Sequence, residues 1–419
     1  MDRFVVEGGR RLKGRIKVSG SKNAALPILI ATLLTDEPCV VGNVPVRLRD
    51  IKTTIKLLES LGKKVEVRGN SARVLAGGSL KTQAPYDLVK QMRASVLAAG
   101  PLLARFGLVR VPIPGGCAIG LRPIDIHLKA FSALGARQVA DGGDIILSAP
   151  SLLKAGRVRL EFPSVGATEN AMMAAAGTRG MTVIENAARE PEIADLGRFL
   201  ERLGAKVSGL GSSRVRVLGA SALKGCRHAV IPDRVEAGTF LLACAAAGGD
   251  IDLKGARAED LSAVIAKLRA AGAEVKPYPG GMRLAMRRRP KAVSIETKPH
   301  PGFPTDLQAP WMSLMCLARG ESRVRETVFE NRFLHAAELS RMGARIRARG
   351  SEARVLGVER LSGAWVMASD IRAGAALVVA ALAARGRTVV QRVYHIDRGY
   401  ERLEAKLRRL GARIRRINP

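Results

Sequence analysis

Apolar residues recur along this chain in two alternating rhythms. Stretches such as Ser21 to Leu34, Ser164 to Ala176 and Asp370 to Ala384 are alanine-rich and apolar nearly all round, behind a polar opening residue. That pattern predicts capped helices buried on every side. Each is followed by a turn and a short β-branched run, at Pro38 to Val44, Thr182 to Glu185 and Thr388 to Val393, which predicts strands. A second kind of helix then ends in an apolar pair, a glycine and another short strand. This ending occurs six times, at Gly62, Gly135, Gly204, Gly272, Gly343 and Gly411. Leu-Glu-Ser-Leu-Gly62-Lys-Lys-Val is the first copy and Leu-Arg-Arg-Leu-Gly411-Ala-Arg-Ile the last. The glycines are 73, 69, 68, 71 and 68 residues apart. One such glycine is an ordinary helix stop, where left-handed backbone is needed just past the helix. Six at near-constant spacing mark a repeated unit of roughly β-α-β-α-β-β composition. Three units with buried helices inside and sheets outside would make one domain, and six would make two. A unit of about 70 residues is long for a solenoid, the competing architecture.

Composition changes this picture little. The chain has 419 residues, 47 % hydrophobic and 25 % charged, an ordinary balance for an α/β protein of two or three domains. The opening MDRFVVEGGRRLKG carries no apolar run before a small-residue cleavage site, so no signal peptide is expected. Apolar runs such as Ala24 to Leu34 fall short of the ~18–20 residues of a membrane helix. A soluble, cytoplasmic chain with no membrane partner is therefore expected. Five cysteines, none in Cys-x-x-Cys spacing, and five scattered histidines point away from a disulfide framework or a metal site. Cys39, Cys226, Cys244 and Cys316 read as small core residues.

Charge is the outlier. A net +32 invites a nucleic-acid reading. Aromatics are only 4 %, too few for stacking platforms. The basic residues are spread along the chain, and no helix-turn-helix, zinc-finger or RNA-recognition signature occurs. No specific nucleic-acid partner is expected. Nonspecific adhesion to polyanions is compatible with the charge, and an arginine-rich solvated surface is the plainer reading.

The repeats indicate where chemistry can sit. The first helix of each unit opens on polar residues: Lys22-Asn23, Arg93, Ser164-Val165-Gly166, Asp233-Arg234, Thr305-Asp306 and Asp370 with Arg372. The loop before each second helix is similarly loaded, with Arg47 and Arg49, Cys117 and Arg122, Arg189, Glu330 to Arg332, and Asp397-Arg398. Helix N-termini present unpaired N–H groups and a positive dipole end, and with arginines beside them they suit phosphates and carboxylates. Equivalent ends of two domains would line one cationic cleft. Asp233, Thr305 and Asp370 are also good helix caps in their own right. Neither Gly-x-x-x-x-Gly-Lys-Ser/Thr nor a post-strand Gly-x-Gly-x-x-Gly occurs, which disfavours P-loop and Rossmann readings.

The most specific stretch is Val111-Pro-Ile-Pro-Gly-Gly-Cys117-Ala-Ile-Gly-Leu-Arg122-Pro123-Ile124-Asp125-Ile126-His127. Its glycines and prolines keep it irregular. A thiol on such a loop, beside an arginine able to fork onto a phosphate, reads as an active-site lid. Further motifs are Ser19-Gly-Ser-Lys22-Asn23-Ala-Ala-Leu-Pro, Ala84-Pro-Tyr-Asp-Leu-Val-Lys-Gln-Met-Arg93, Pro163-Ser-Val-Gly-Ala-Thr, Pro232-Asp-Arg-Val-Glu-Ala-Gly-Thr, Phe303-Pro-Thr-Asp306, Phe329-Glu-Asn-Arg332-Phe and Tyr394-His-Ile-Asp-Arg398-Gly-Tyr. Together these resemble the UDP-N-acetylglucosamine 1-carboxyvinyltransferases, from Met1 to about Arg413.

The resemblance implies two inside-out α/β barrel domains of three repeats each: residues 22–231, carrying the Cys117 loop, and residues 1–21 with 232–419. It implies transfer of the enolpyruvyl group of phosphoenolpyruvate to the 3-hydroxyl of UDP-N-acetylglucosamine, without metal or redox cofactor. No oligomeric state is implied. Cys117 resembles the family's general acid, open to alkylation by epoxides such as fosfomycin, and Asp306 the carboxylate beside the sugar hydroxyl. Lys22 and Arg398 match contacts to phosphoenolpyruvate, and Arg122 serves both ligands. Asn23 and Arg93 match substrate contacts, while Arg122, Pro123, Ile124, Asp125 and Ile126, with Ser164, Val165 and Gly166, match the nucleotide cradle. Val328 lines the sugar nucleotide, and Asp370 and Arg372 match the far wall. Phe162 stands where some members have a lysine near the diphosphate, and Leu97 where some have an aromatic. Cations around Cys117 should lower its pKa from about 8.5, and bound phosphates would return the proton. Two rival readings are a 5-enolpyruvylshikimate-3-phosphate synthase and a nonenzymatic polyanion binder on the same fold.

Overall fold

The computed structural model describes residues 2–90, 92–112, 124–141 and 144–418. These divide into two compact units, one of residues 20–112 and 124–231, the other of residues 2–19 and 232–418. The chain passes between them at Ser19/Gly20 and at Ile231/Pro232.

Local sequence explains the elements. In the first unit, Ser21 and Ser164 cap the helices Lys22–Ala31 and Val165–Ala176, each hydroxyl accepting from the amide three residues on. In the second, Asp233 and Asp370 cap Arg234–Ala247 and Ile371–Ala383, each carboxylate accepting from two amides of the first turn. Thr305 departs from expectation. Pro304 takes the cap position of the turn Thr305–Leu307, and the Thr305 hydroxyl is spent on side chains described below. All six repeat glycines have φ between +87° and +116°, the region that a β-carbon penalises.

Among the described residues the strands pair into six separate sheets and draw no continuous barrel. Five have the same four-stranded plan: a parallel edge strand, then two antiparallel pairings. In the first unit, Arg227–Ala229 runs parallel to Cys39–Gly42, which pairs antiparallel with Ser71–Ala76 and through it with Lys63–Arg68. Arg157–Arg159 plays the same part for Gly180–Glu185. In the three-stranded sheet a single bridge, Gln83 to Arg110, stands in the edge strand's place. The second unit completes two of its sheets with N-terminal strands: Leu12–Lys17 lies parallel to Gly249–Lys254, and Arg3–Glu7 pairs with Arg387–Gln391 and Arg413–Ile417.

Alternation in strands such as Arg214–Gly219 turns Val215 and Val217 inward and Arg214 and Arg216 outward. Each unit keeps its own core. In the second, the three buried helices Arg234–Ala247, Gln308–Met315 and Ile371–Ala383 pack on one another at its centre. In the first, Ala99–Phe106 and Val165–Ala176 approach so closely that a β-carbon at Gly100 would lie 2.7 Å from the Asn170 carbonyl oxygen. Cys39, Cys244 and Cys316 sit in these cores, but Cys226 is only half-buried, because it precedes an edge strand. Among the described residues no helix is long and apolar enough to cross a membrane.

Candidate active site

Each unit gathers its own set of the expected residues. In the first unit Lys22 opens its helix and is almost fully buried. Its Nζ donates to Asp50 Oδ2 at 3.1 Å. Asp50, equally buried, lies in the first turn of Arg49–Ser60. The ion pair and the helix start together fix where the ammonium group sits. Asn23 follows it, half-buried.

Arg93 opens the turn Arg93–Ala98, close enough to His127 to act on its ring. Burial, then the Arg93 charge, lowers the His127 pKa to about 4, so the imidazole is neutral at physiological pH. Asn170 fixes its tautomer. Its Oδ1 accepts from the Gly100 amide at 3.0 Å, so Nδ2 faces His127 Nδ1 at 3.0 Å and the Val96 carbonyl at 3.0 Å. His127 Nδ1 therefore accepts, and the ring proton sits on Nε2. A β-carbon at Gly166 would stand 3.1 Å from the His127 ring, so the first turn of Val165–Ala176 rests on the helix Asp125–Ala133. Arg93, Ile124, Asp125, Ile126, Ser164, Val165 and Gly166 are thus brought to one locality around His127 and Asn170. Amides of a first helical turn lack helical acceptors, which suits anionic oxygens. Phe162, three residues before that helix, is 41 % exposed, while Leu97 is buried. Cys117, Arg122 and Pro123 lie outside the described residues.

In the second unit Asp306 is held from two sides. Its Oδ1 accepts from Arg332 and its Oδ2 from Arg372, both at 2.7 Å. The arginine side chains are 5 % and 7 % exposed, and that of Asp306 is 26 % exposed. Burial pushes the Asp306 carboxyl up, but Arg372 and Arg332 outweigh it and hold it well below the usual carboxylate range. Arg372 also lies over the Tyr400 ring, 5.4 Å from its centre, and Tyr400 meets Thr239 Oγ1 at 2.9 Å. Asp370 accepts from the Arg372 and Ala373 amides, so the cap and the arginine position each other.

Glu326 organises the adjoining loop. This fully buried carboxylate accepts from Thr297 Oγ1 at 2.8 Å, Thr305 Oγ1 at 2.9 Å and the amides of Val328 and Phe329 at 2.9 and 3.2 Å. Val328 is fixed by it, and Thr305 in turn accepts from Arg332. Arg398 ends the turn Ile396–Arg398, whose Asp397 is gripped by both terminal nitrogens of Arg416. Asp50 and Glu326 escaped the sequence reading as site residues, and Arg332 was singled out there only as a charged loop position, with no role assigned. The signal for Arg332 was its place in Phe-Glu-Asn-Arg beside a predicted helix start. Among the described residues no group of three His, Cys, Asp or Glu side chains could hold a metal ion.

One unit thus offers a buried lysine and helix-end amides; the other offers a carboxylate clamped by two guanidinium groups. A family model described as EPSP synthase (3-phosphoshikimate 1-carboxyvinyltransferase) matches residues 6–407. The chain belongs to this family. Within the carboxyvinyltransferases it is 53 % identical, over 100 % of both chains, to the UDP-N-acetylglucosamine 1-carboxyvinyltransferase of Trichlorobacter lovleyi. It is 56 % identical to the protein of that name from Nitratidesulfovibrio vulgaris strain Hildenborough, over 99 % of both. Among solved structures, the enolpyruvyl transferase NikO from Streptomyces tendae superposes with a TM-score of 0.89 at 24 % identity, covering 100 % of this chain and 99 % of NikO. EPSP synthase from Acinetobacter baumannii gives 0.75 at 17 %, covering 100 % of both. These two likenesses describe the fold. The chain is a transferase of the carboxyvinyl class on the enolpyruvyl transferase fold.

Proposed function

We propose that this carboxyvinyltransferase moves the enolpyruvyl group of phosphoenolpyruvate onto the 3-hydroxyl of UDP-N-acetylglucosamine and releases phosphate. In this reading it acts in the cytoplasm at the first committed step of peptidoglycan synthesis. The observation that carries the reading is the full-length identity of 51–56 % to relatives bearing that name. The buried Lys22–Asp50 pair and the Asp306 clamp support it, because they are the kinds of charged group an addition–elimination uses.

In this reading the residues take the roles that the resemblance implies. Lys22 and Arg398 hold the phosphate and carboxylate of phosphoenolpyruvate, and Arg122 reaches both substrates. Asn23, Arg93, Asp125 and the Ser164 to Gly166 turn receive the sugar nucleotide, with Val328 against the sugar and Asp370 and Arg372 as the far wall. Cys117 gives a proton to the methylene carbon of phosphoenolpyruvate as the sugar oxygen bonds to the adjacent carbon. Asp306 takes the hydroxyl proton. Loss of a methyl proton then expels phosphate and restores the double bond.

Asp306 as clamped is a weak base, since both oxygens already accept from guanidinium groups. A bound polyanion competing for Arg332 and Arg372 would loosen that grip and raise the carboxylate's basicity at the moment of use. Phosphate release from phosphoenolpyruvate, with UDP-N-acetylglucosamine or shikimate 3-phosphate as acceptor, tests the assignment. The shikimate ester is the natural alternative because the family's description names it.

A further inference from the structure

Two cysteines far apart in sequence meet at the edge of the first unit's sheet. Arg227 pairs with Val40 and His228 with Val41 in the parallel ladder, and the Val40 amide donates to the Cys226 carbonyl at 2.9 Å. Continuing that register one residue back sets Cys226 beside Cys39. Neighbouring strands lie ~4.8 Å apart, within the ~4.4–6.8 Å between α-carbons that a disulfide spans. Both side chains lie on the inward-facing parity, shared with buried Val41 and His228, each thiol acts on the other's ionisation, and Cys39 Sγ donates to the Glu37 carbonyl at 3.9 Å.

The pair differs from a packed core contact in two ways. Cys226 is half-buried and lines a surface cavity of about 610 Å³ with Pro38, Val40, Arg73, Gly225 and Arg227. Cationic groups also surround the sulfurs. Lys63 acts on Cys39 and Arg202 on Cys226, with Glu37 the opposing carboxylate. The neighbouring Cys226 thiol outweighs burial and brings the Cys39 thiol down to about 7. The contact with Cys39 and then burial push the Cys226 thiol well above its ordinary value, so the thiolate of the pair is Cys39.

We propose that Cys39 and Cys226 form a redox-active dithiol, oxidised to an intramolecular disulfide by a small anionic disulfide that enters the arginine-lined cavity. Cys226, the more exposed sulfur, passes its proton to the Cys39 thiolate as it attacks one sulfur of the small disulfide; the small thiolate expelled takes that proton, leaving a mixed disulfide on Cys226 and the Cys39 thiolate. The Cys39 thiolate then attacks Cys226 Sγ and expels the second. Two electrons pass from the protein to the small disulfide, and the pair's one proton leaves on one released thiol while the other departs as thiolate. The bond ties the start of the first sheet to the last strand of the unit, Arg227–Ala229, just before the chain leaves it at Ile231.

The test uses the full chain and oxidised glutathione at pH 8, followed by alkylation under denaturing conditions and peptide mapping without reductant. The expected product joins the peptide holding Cys39 to that holding Cys226, with loss of both alkylation sites. Cys39→Ser should stop at a glutathione adduct on Cys226, and Cys226→Ser should yield neither species. Full alkylation of both cysteines after oxidation would overturn the proposal. So would a glutathione adduct on Cys226 that persists in the unsubstituted chain. That unsubstituted result decides the matter even where Cys39→Ser fails to fold.

Discussion

Replacing Asp306 by asparagine removes one negative charge from between two arginines that solvent barely reaches. Arg332 and Arg372 are 5 % and 7 % exposed, so each would lose its carboxylate where water cannot replace it. Breaking a buried pair costs ~3–5 kcal/mol. Asp306 is itself 26 % exposed, and asparagine keeps one acceptor oxygen, so the expected loss is about 2–3 kcal/mol. With a urea slope of about 2–3 kcal/mol/M, the unfolding midpoint of the 2–19 and 232–418 unit should fall by roughly 1 M. The sign with pH is fixed by the direction of the shift. A depressed carboxyl contributes stability that is fully present above the ordinary aspartate value of about 3.9, and lost as pH falls through the lower folded value. Urea melts of the two proteins should therefore differ most from neutral pH down to about 4 and converge below it. Turnover should fall by about 10²–10⁴-fold, the range for a general base. A stability difference that is absent, or the same on both sides of the aspartate range, would refute the clamp. Unchanged turnover would remove Asp306 from the role of base.

Two further outcomes are expected. Phe162→Lys puts a cation at an exposed position just before the helix Val165–Ala176, and should lower KM for UDP-N-acetylglucosamine about fivefold with little change in kcat, an exposed ion pair contributing up to ~1 kcal/mol; initial-rate kinetics check this, and an unaltered KM counts against a diphosphate at that place. The rate of Cys117 alkylation by an anionic epoxide, followed against pH in the ligand-free protein with peptide mapping, should report a pKa below the ~8.5 of a free cysteine, and a value at or above that would contradict a cationic surround.

Sequence was informative wherever a feature is local. The six glycines needed only the rule that a helix end takes left-handed backbone, and each has positive φ. Ser21, Ser164, Asp233 and Asp370 cap as their positions suggest. Thr305 failed because Pro304 supplies the cap geometry and the hydroxyl bridges Glu326 and Arg332 instead. Partnerships across the fold were not legible. Asp306 lies 26 and 66 residues from its two arginines, and periodicity carries no information about which guanidinium reaches which carboxylate. Asp50 looked like an ordinary acid in a first helical turn, and only the packing of Lys22–Ala31 against Arg49–Ser60 makes it the lysine's partner. Cys226 read as a core residue because its exposure is set by an edge strand that pairs with residues more than 180 positions earlier.

The most direct measurement is phosphate release from phosphoenolpyruvate by the purified chain, with each acceptor in turn. The account predicts stoichiometric release with UDP-N-acetylglucosamine, an enolpyruvyl ether at the sugar 3-oxygen in the product, and none with shikimate 3-phosphate. Release with shikimate 3-phosphate but not the sugar nucleotide, or with neither, would contradict it.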